Sequence, residues 1–301
     1  MARPYQSLAA QTFRDFEWLI VDNGSTDGTP ELIARWRTEA DFPIRYLYQQ
    51  DRGKHGSMNR AVREARGELF LTLDSDDGCV ATALARFKQH WDSIPASRRW
   101  RFAGVTCNCR DQLGVFNGTP FPFDPTDASA LEMRLRYRVR GEKWGFTRTD
   151  VMRQFPFPEP SGYTGLIPSG LVWNAIGRSF LTRYVNDELH VWWKDQAGSL
   201  SRPGDRVADA LGAQIEARAF IDEELRWFRY APRLFYLKAA KYARSSFHVG
   251  DSLLVQARGL RHTTARWLWA AALPLGVGVY LAERLGIIGY LPGPTNRNIG
   301  R

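Results

Sequence analysis

The sequence predicts an α/β fold, a largely parallel sheet flanked by helices, with a helical C-terminal extension. Three observations carry this. Apolar runs at Phe16–Val21, Ile44–Tyr48 and Glu68–Leu73 alternate with helix-like stretches, giving the β-loop-α-β-loop-α-β order of parallel sheets. In the third run Phe70, Leu71 and Leu73 are all apolar, as in a strand covered on both faces. The first and third runs end in acids, Asp22 and Asp74-Ser75-Asp76-Asp77, and ligands of such sheets gather beyond the carboxyl ends of strands.

The elements follow in order. Residues 4–13 read as the end of a helix. Asn23-Gly24-Ser25-Thr26-Asp27-Gly28-Thr29-Pro30 is turn chemistry leading into a helix that reaches Trp36, with Thr29 as N-cap and Pro30 in its first position. A polar loop over Asp51–Gly56 precedes a helix over Ser57–Ala65, closed by Gly67. Beyond the acidic run, Val80–Trp91 reads as a helix and Phe102–Cys109 as a strand. Asn117–Ala128, rich in Pro and Thr, reads as a recognition loop. Glu132–Arg140 reads as a basic helix, and Val207, Leu211, Ile215, Ala219 and Leu225 mark an amphipathic helix within Arg206–Phe228.

Side chains two apart on an extended chain point the same way, so Asp74 and Asp76 converge while Ser75 faces away. Two carboxylates so placed repel unless a cation lies between them, and a hard divalent ion, Mn²⁺ or Mg²⁺, suits oxygen ligands. The other reading makes Asp76 or Asp77 the N-cap of the following helix.

At 301 residues with 44% hydrophobic and 24% charged residues, the composition is that of a globular protein. The net charge of +9 is concentrated in the tail, where residues 231–301 hold ten Lys/Arg against two Asp/Glu. An anionic partner for the tail follows, but no zinc-finger or RNP-type signature accompanies it, so no nucleic acid is expected. Trp267–Ala282 is uncharged over sixteen residues, short of the roughly twenty that span a bilayer. It reads as an interfacial segment with Trp267, Trp269 and Tyr280 at headgroup depth, or as a buried packing helix. An anionic membrane surface is the partner the first reading implies. Cys79, Cys107 and Cys109 are odd in number and lack zinc-site spacing, so free buried thiols are expected. Met1 to Phe16 contains no apolar signal-peptide core, and a reducing cytoplasm is the expected compartment.

The stretch from Gln11 to Thr29, containing Phe16-Glu17-Trp18-Leu19-Ile20-Val21-Asp22-Asn23-Gly24-Ser25-Thr26-Asp27-Gly28, resembles the opening of family 2 glycosyltransferases. Gly53-Lys54-His55-Gly56-Ser57-Met58-Asn59 and Gly67–Asp77 continue the resemblance in family order. It implies a GT-A fold with a nucleotide-sugar donor, a UDP-sugar by preference, and a divalent metal. By motif position Asp22 would contact the base, Lys54 and Asn59 would lie near the donor, Asp74 would face the ribose or sugar, and Asp76 would bind the metal. Asp22 as a turn cap and Lys54 as a solvated loop cation are the structural alternatives. Residues 1–205 would form the transferase domain, with a donor half to about 110 and an acceptor half from 111, and residues 206–301 a basic helical region. Trp173, Trp192 and Trp193 are assigned to packing.

Two departures from the family pattern stand out. The sequence opens where the family's first strand should already be finished, so an upstream strand is expected. In the resembled subgroup an acid, the expected catalytic base, stands at the position of Ser169, and a serine hydroxyl accepts no proton at neutral pH unaided. Glu159 is the nearest acid for that role, or else a solvent-facing loop acid. No Gln-x-x-Arg-Trp-like motif of processive synthases is visible, so single-sugar transfer is expected; the resemblance implies that it is inverting, with a glycan or lipid-linked acceptor. The contrasting expectation is a non-catalytic binding or scaffold protein of a polysaccharide-assembly complex.

Overall fold

The computed structural model describes residues 2–193 and 207–289. The chain forms two compact units, Met1–Tyr163 with Val172–Ala197, and Thr164–Leu171 with Gly198–Arg301. The domain boundary expected at 205/206 lies outside the described residues.

The first unit opens with α1 (Ala2–Ala9), followed by β1 (Trp18–Asn23), α2 (Thr29–Glu39), β2 (Ile44–Gln49), α3 (Gly53–Glu64) and β3 (Leu69–Leu71). β1 and β2 pair in parallel, Trp18 against Ile44 through Asn23 against Gln49. Ile20, Ile33, Trp36 and Ile44 form their core with Leu8 from α1. Tyr5 stacks on Trp36 at 4.5 Å, so α1 is fastened to α2 by an aromatic face. The expected N-cap moves by one residue. Gly28 caps α2 while Asp27 accepts hydrogen bonds from both the backbone and the hydroxyl of Thr29.

β4 (Gly78–Cys79), α4 (Ala83–Asp92), β5 (Phe102–Asp111), β6 (Thr126–Ala128), β7 (Lys143–Arg148), α5 (Thr149–Gln154), α6 (Gly170–Ser179) and β8 (Leu181–Trp192) follow. The first two residues of α6 are grouped with the second unit. The larger sheet runs β3-β7-β5-β8-β4, with β6 on β8. Its pairing is mixed rather than largely parallel: β5 and β8 are parallel, and the other pairs are antiparallel. The apolar run Glu68–Leu73 is ladder-paired only over Leu69–Leu71, against β7. Glu132–Arg140 is not a helix of the expected length. A single wide turn covers Glu132–Arg136, and Arg138 at φ 57° turns the chain away. Phe87, Trp91, Phe102, Val105, Phe146 and Val185 fill the core between α4 and this sheet.

The second unit contains α7 (Ala210–Glu223), α8 (Pro232–Val249), α9 (Leu253–Gly259) and α10 (Thr263–Arg284). α8 packs on both α7 and α10. Gly276 allows the close approach to α8, since a Cβ there would lie 2.8 Å from the Ala240 carbonyl oxygen and from Ala243 Cβ. Buried ion pairs join the helices. Glu216 on α7 accepts from Lys238, and Glu283 on α10 accepts from Arg244 Nε at 2.9 Å and lies 2.8 Å from His248 Nε2. The uncharged run expected as an interfacial segment belongs to α10, which is longer than that run because Thr263–Arg266 and Glu283–Arg284 extend the helix.

Candidate active site

A turn, not strand alternation, assembles the acidic group. The ladder of β3 stops at Leu71, and the Trp144 indole N–H on β7 donates to the Thr72 carbonyl at 2.6 Å. The Asp77 N–H then donates to the Asp74 carbonyl at 3.2 Å. A fully extended chain would send Asp77 away from Asp74 and Asp76. The turn instead brings one carboxylate oxygen from each of Asp74, Asp76 and Asp77 within 4.8 Å of one another. Asp74 is exposed and the other two are half-buried. Three hard oxygen donors at this spacing fit a divalent cation, whose charge would offset their repulsion. Neither Asp76 nor Asp77 caps the next helix, because α4 begins after Thr82. Asp77 was legible only as part of a run of three carboxylates in four residues; the turn makes it a candidate ligand.

Other elements hold this loop. The Arg3 guanidinium donates to the Asp76 carbonyl at 3.1 Å and lies over the Trp193 ring at 4.5 Å. Lys54, in the first turn of α3, donates to both oxygens of Asp74 at 2.8 Å. About half of each of these side chains is exposed, so the pair adds little stability, but it lays a cation across the acidic loop.

Asp22 is the last residue but one of β1 and is 5% exposed. Burial alone would raise its pKa, but hydrogen bonds from the Tyr46 hydroxyl and the Ser25 and Gly24 backbone outweigh this and hold it below the ordinary value. The same burial and the neighbouring Asp22 push Tyr46 up to about 12. Asn23 ties the turn to the next loop. Its side-chain oxygen accepts from Gln49 and from the Arg52 N–H, and its amide donates to Asp51, which also accepts from the Gly53 N–H. Asp22 thus shapes the turn at the strand tip, its carboxylate accepting from the Ser25 N–H and the Tyr46 hydroxyl. Because its folded pKa is depressed, its stabilising contribution is complete above about pH 4 and is lost as pH falls through the lower folded value. The melting-temperature gap between wild type and Asp22→Asn should therefore close on acidification below about pH 4.

Asn59 and Glu159 come together and bond to each other. The Asn59 amide donates to the Phe157 carbonyl at 2.8 Å and to Glu159 at 2.7 Å, while its oxygen accepts from the Phe157 N–H at 2.9 Å. Glu159 also accepts from Arg52 at 2.7 Å, with Arg63 at 3.8 Å. Asn59 therefore braces the Phe157–Glu159 segment. One Glu159 oxygen is thus engaged by the Asn59 amide and the other by the Arg52 guanidinium. Ser169 belongs to the second unit.

Burial raises the Cys79 thiol to about 11 and the Cys107 thiol to about 12, and raises Cys109 further. All three cysteines are free and buried, and they remain thiols at neutral pH. Behind the acidic loop, buried His190 on β8 places Nε2 3.4 Å from Asp77 Oδ2.

Residues 2–105 match the family model described as glycosyl transferase family 2. An uncharacterised glycosyltransferase of Nostoc sp. is 36% identical over 77 residues, 26% of this chain and 24% of that protein. A Campylobacter jejuni GalNAc(5)-diNAcBac-PP-undecaprenol beta-1,3-glucosyltransferase is 29% identical over 91 residues, 30% of this chain and 29% of that protein. The aligned stretch thus spans less than a third of either relative. The crystal structure of Staphylococcus aureus TarS 1–349 with UDP-GlcNAc superposes with a TM-score of 0.59 at 17% identity, covering 94% of this chain and 87% of that one. The likeness to TarS is one of fold. The similarity to glycosyl transferase family 2 runs through residues 2–105, where the strand tips and the acidic loop lie, and the fold is of the GT-A type.

Proposed function

We propose that the protein transfers a sugar from a nucleotide-sugar donor, a UDP-sugar by preference, to a cell-surface glycan or lipid-linked acceptor, one residue at a time and with inversion. The observation that carries this reading is the trio Asp74, Asp76 and Asp77 with Lys54 laid across it, in a GT-A-type fold. A divalent cation held by these carboxylates would neutralise charge on the leaving nucleoside diphosphate. Lys54 is free to exchange Asp74 for a phosphate oxygen at small cost, since its present ion pair is half exposed. The turn stiffened by Asp22 and Asn23 would seat the nucleoside, and the Asn59–Glu159–Arg52 brace would hold the 157–159 segment in place. The relatives support the donor and acceptor classes: TarS is solved with UDP-GlcNAc, and the Campylobacter protein is named for an undecaprenol-linked glycan.

Calorimetry with UDP-GlcNAc, UDP-glucose and UDP-galactose, with and without Mn²⁺, tests the reading, followed by assay of UDP release. Absence of binding to all three in Mn²⁺ would overturn the UDP-sugar assignment. The engagement of Glu159 by Arg52 and Asn59, together with Ser169 in the usual place of an acid, favours a second reading: a donor-binding scaffold without turnover. Mn²⁺-dependent binding with no UDP release, alone or with lipid-linked glycan acceptors, would establish that second reading.

We place the protein peripherally at the inner face of the cytoplasmic membrane. Among the described residues α10 is the one helix long and apolar enough to cross a membrane, and most of its apolar stretch is not buried within the protein. Trp267, Leu275 and Leu281 are exposed along it, with Leu253, Leu254 and Val255 exposed on α9 and Arg258, Arg261 and Arg266 beside them. Glu283 is held in the second unit by Arg244 and His248, which favours a helix that lies on the surface over one that detaches to span it. Co-sedimentation with anionic vesicles should be strong at low salt, weaker at 0.5 M salt and reduced in Trp267→Ser. Protein left in the supernatant at low salt would refute the assignment.

A further inference from the structure

His190 is 3% exposed, yet its Nδ1 is buried without a hydrogen-bond partner. It lies opposite Cys109 on β5 and Cys79 on β4, and its ring stacks on Trp144 with centroids 5.0 Å apart. An imidazole buried with one nitrogen unsatisfied weakens a fold relative to an apolar side chain in the same place, so packing does not account for it. Its other nitrogen faces Asp77 Oδ2 at 3.4 Å, and the Asp77 side chain is itself only 14% exposed.

We propose that His190 is a positioning residue for the divalent cation: from beneath the acidic loop it orients the Asp77 carboxylate, so that Asp77 joins Asp74 and Asp76 as a third ligand. This rests on the cation-binding reading of the loop. Trp144 couples the two ends of the arrangement, donating to the Thr72 carbonyl where the loop begins and stacking on the imidazole where it ends. Arg3 fixes the Asp76 carbonyl between them. Groups that orient a ligating side chain raise metal affinity because the ligand no longer has to be ordered when the ion arrives.

Calorimetric titration of the full chain with Mn²⁺ alone tests this, with the manganese electron paramagnetic resonance line shape as a second readout. His190→Phe, which keeps the ring and its stacking, should bind Mn²⁺ at least about tenfold more weakly. His190→Gln, which restores an N–H donor, should recover part of the loss. Asp77→Asn should weaken binding at least as much as His190→Phe. The double variant should be no weaker than Asp77→Asn alone, because His190 acts through Asp77. Wild-type affinity in His190→Phe, or additive losses in the double variant, would overturn the proposal while leaving the cation reading intact if Asp76→Asn is impaired. Unchanged Mn²⁺ binding in Asp76→Asn would remove the cation reading and this proposal together. Should His190→Phe fail to fold, wild-type Mn²⁺ affinity in Asp77→Asn would refute the positioning role equally well.

Discussion

Asp76→Asn is expected to lower Mn²⁺ affinity by at least about a hundredfold, because losing a ligating carboxylate should cost no less than the upper end of the range for an outer partner. Nucleotide-sugar affinity in the presence of Mn²⁺ should fall with it, while affinity without metal should change little. The fold should not suffer. The contact that fixes Asp76 runs through its backbone carbonyl to Arg3, which the substitution keeps, and removing one of three clustered like charges relieves repulsion. Calorimetry with and without Mn²⁺, beside a thermal melt, gives both halves of the result. Equal Mn²⁺ and nucleotide-sugar binding in wild type and variant would show that the acidic loop is not the cation site.

A larger effect on stability is expected in the second unit from Glu283→Ala. Glu283, Arg244 and His248 have side chains 3%, 6% and 4% exposed, and the carboxylate is the common partner of both basic groups. Its removal takes from the Arg244 guanidinium its paired carboxylate in the α8–α10 contact, and breaking a buried pair on one side costs about 3–5 kcal/mol. For a unit of this size that corresponds to a fall in melting temperature of roughly 10 °C or more. Replacing the three residues together by apolar side chains of similar volume should restore much of the loss, since the penalty comes from the unpaired charge and not from absent packing. Thermal melts of wild type, the single variant and the triple variant decide it. A single variant within about 2 °C of wild type would mean that water reaches Arg244 in the folded protein.

The parts of the site that the sequence made legible are those written in neighbouring residues. Strand-like runs ending in Asp22 and in Asp74-Ser75-Asp76-Asp77, with a Lys54 loop between them, are local patterns, and the structure keeps all three in that order. The fold class was legible for the same reason, because helix and strand periodicities depend on residues a few positions apart. Strand pairing was less so. β3 is a short strand paired to β7 across some 75 residues, and nothing in Leu69–Leu71 announces an antiparallel partner at Phe146–Arg148. Glu159 illustrates the limit on reading roles. Alone in the sequence it is an acid that can serve as a base, and only the folded chain reveals Arg52 and Asn59, a hundred positions away, occupying its oxygens.

The sequence by itself determined the family motifs, the acidic residues available to a cation and the concentration of basic charge toward the C-terminus, all of which are properties of residue identity and short spacing. Tertiary structure alone decided that a turn adds Asp77 to the carboxylates, that Asn59 and Glu159 form a brace, and that His190 stands beneath the loop. These depend on where strands far apart in the chain come to lie, and a buried polar contact leaves no periodic trace in the residues that make it.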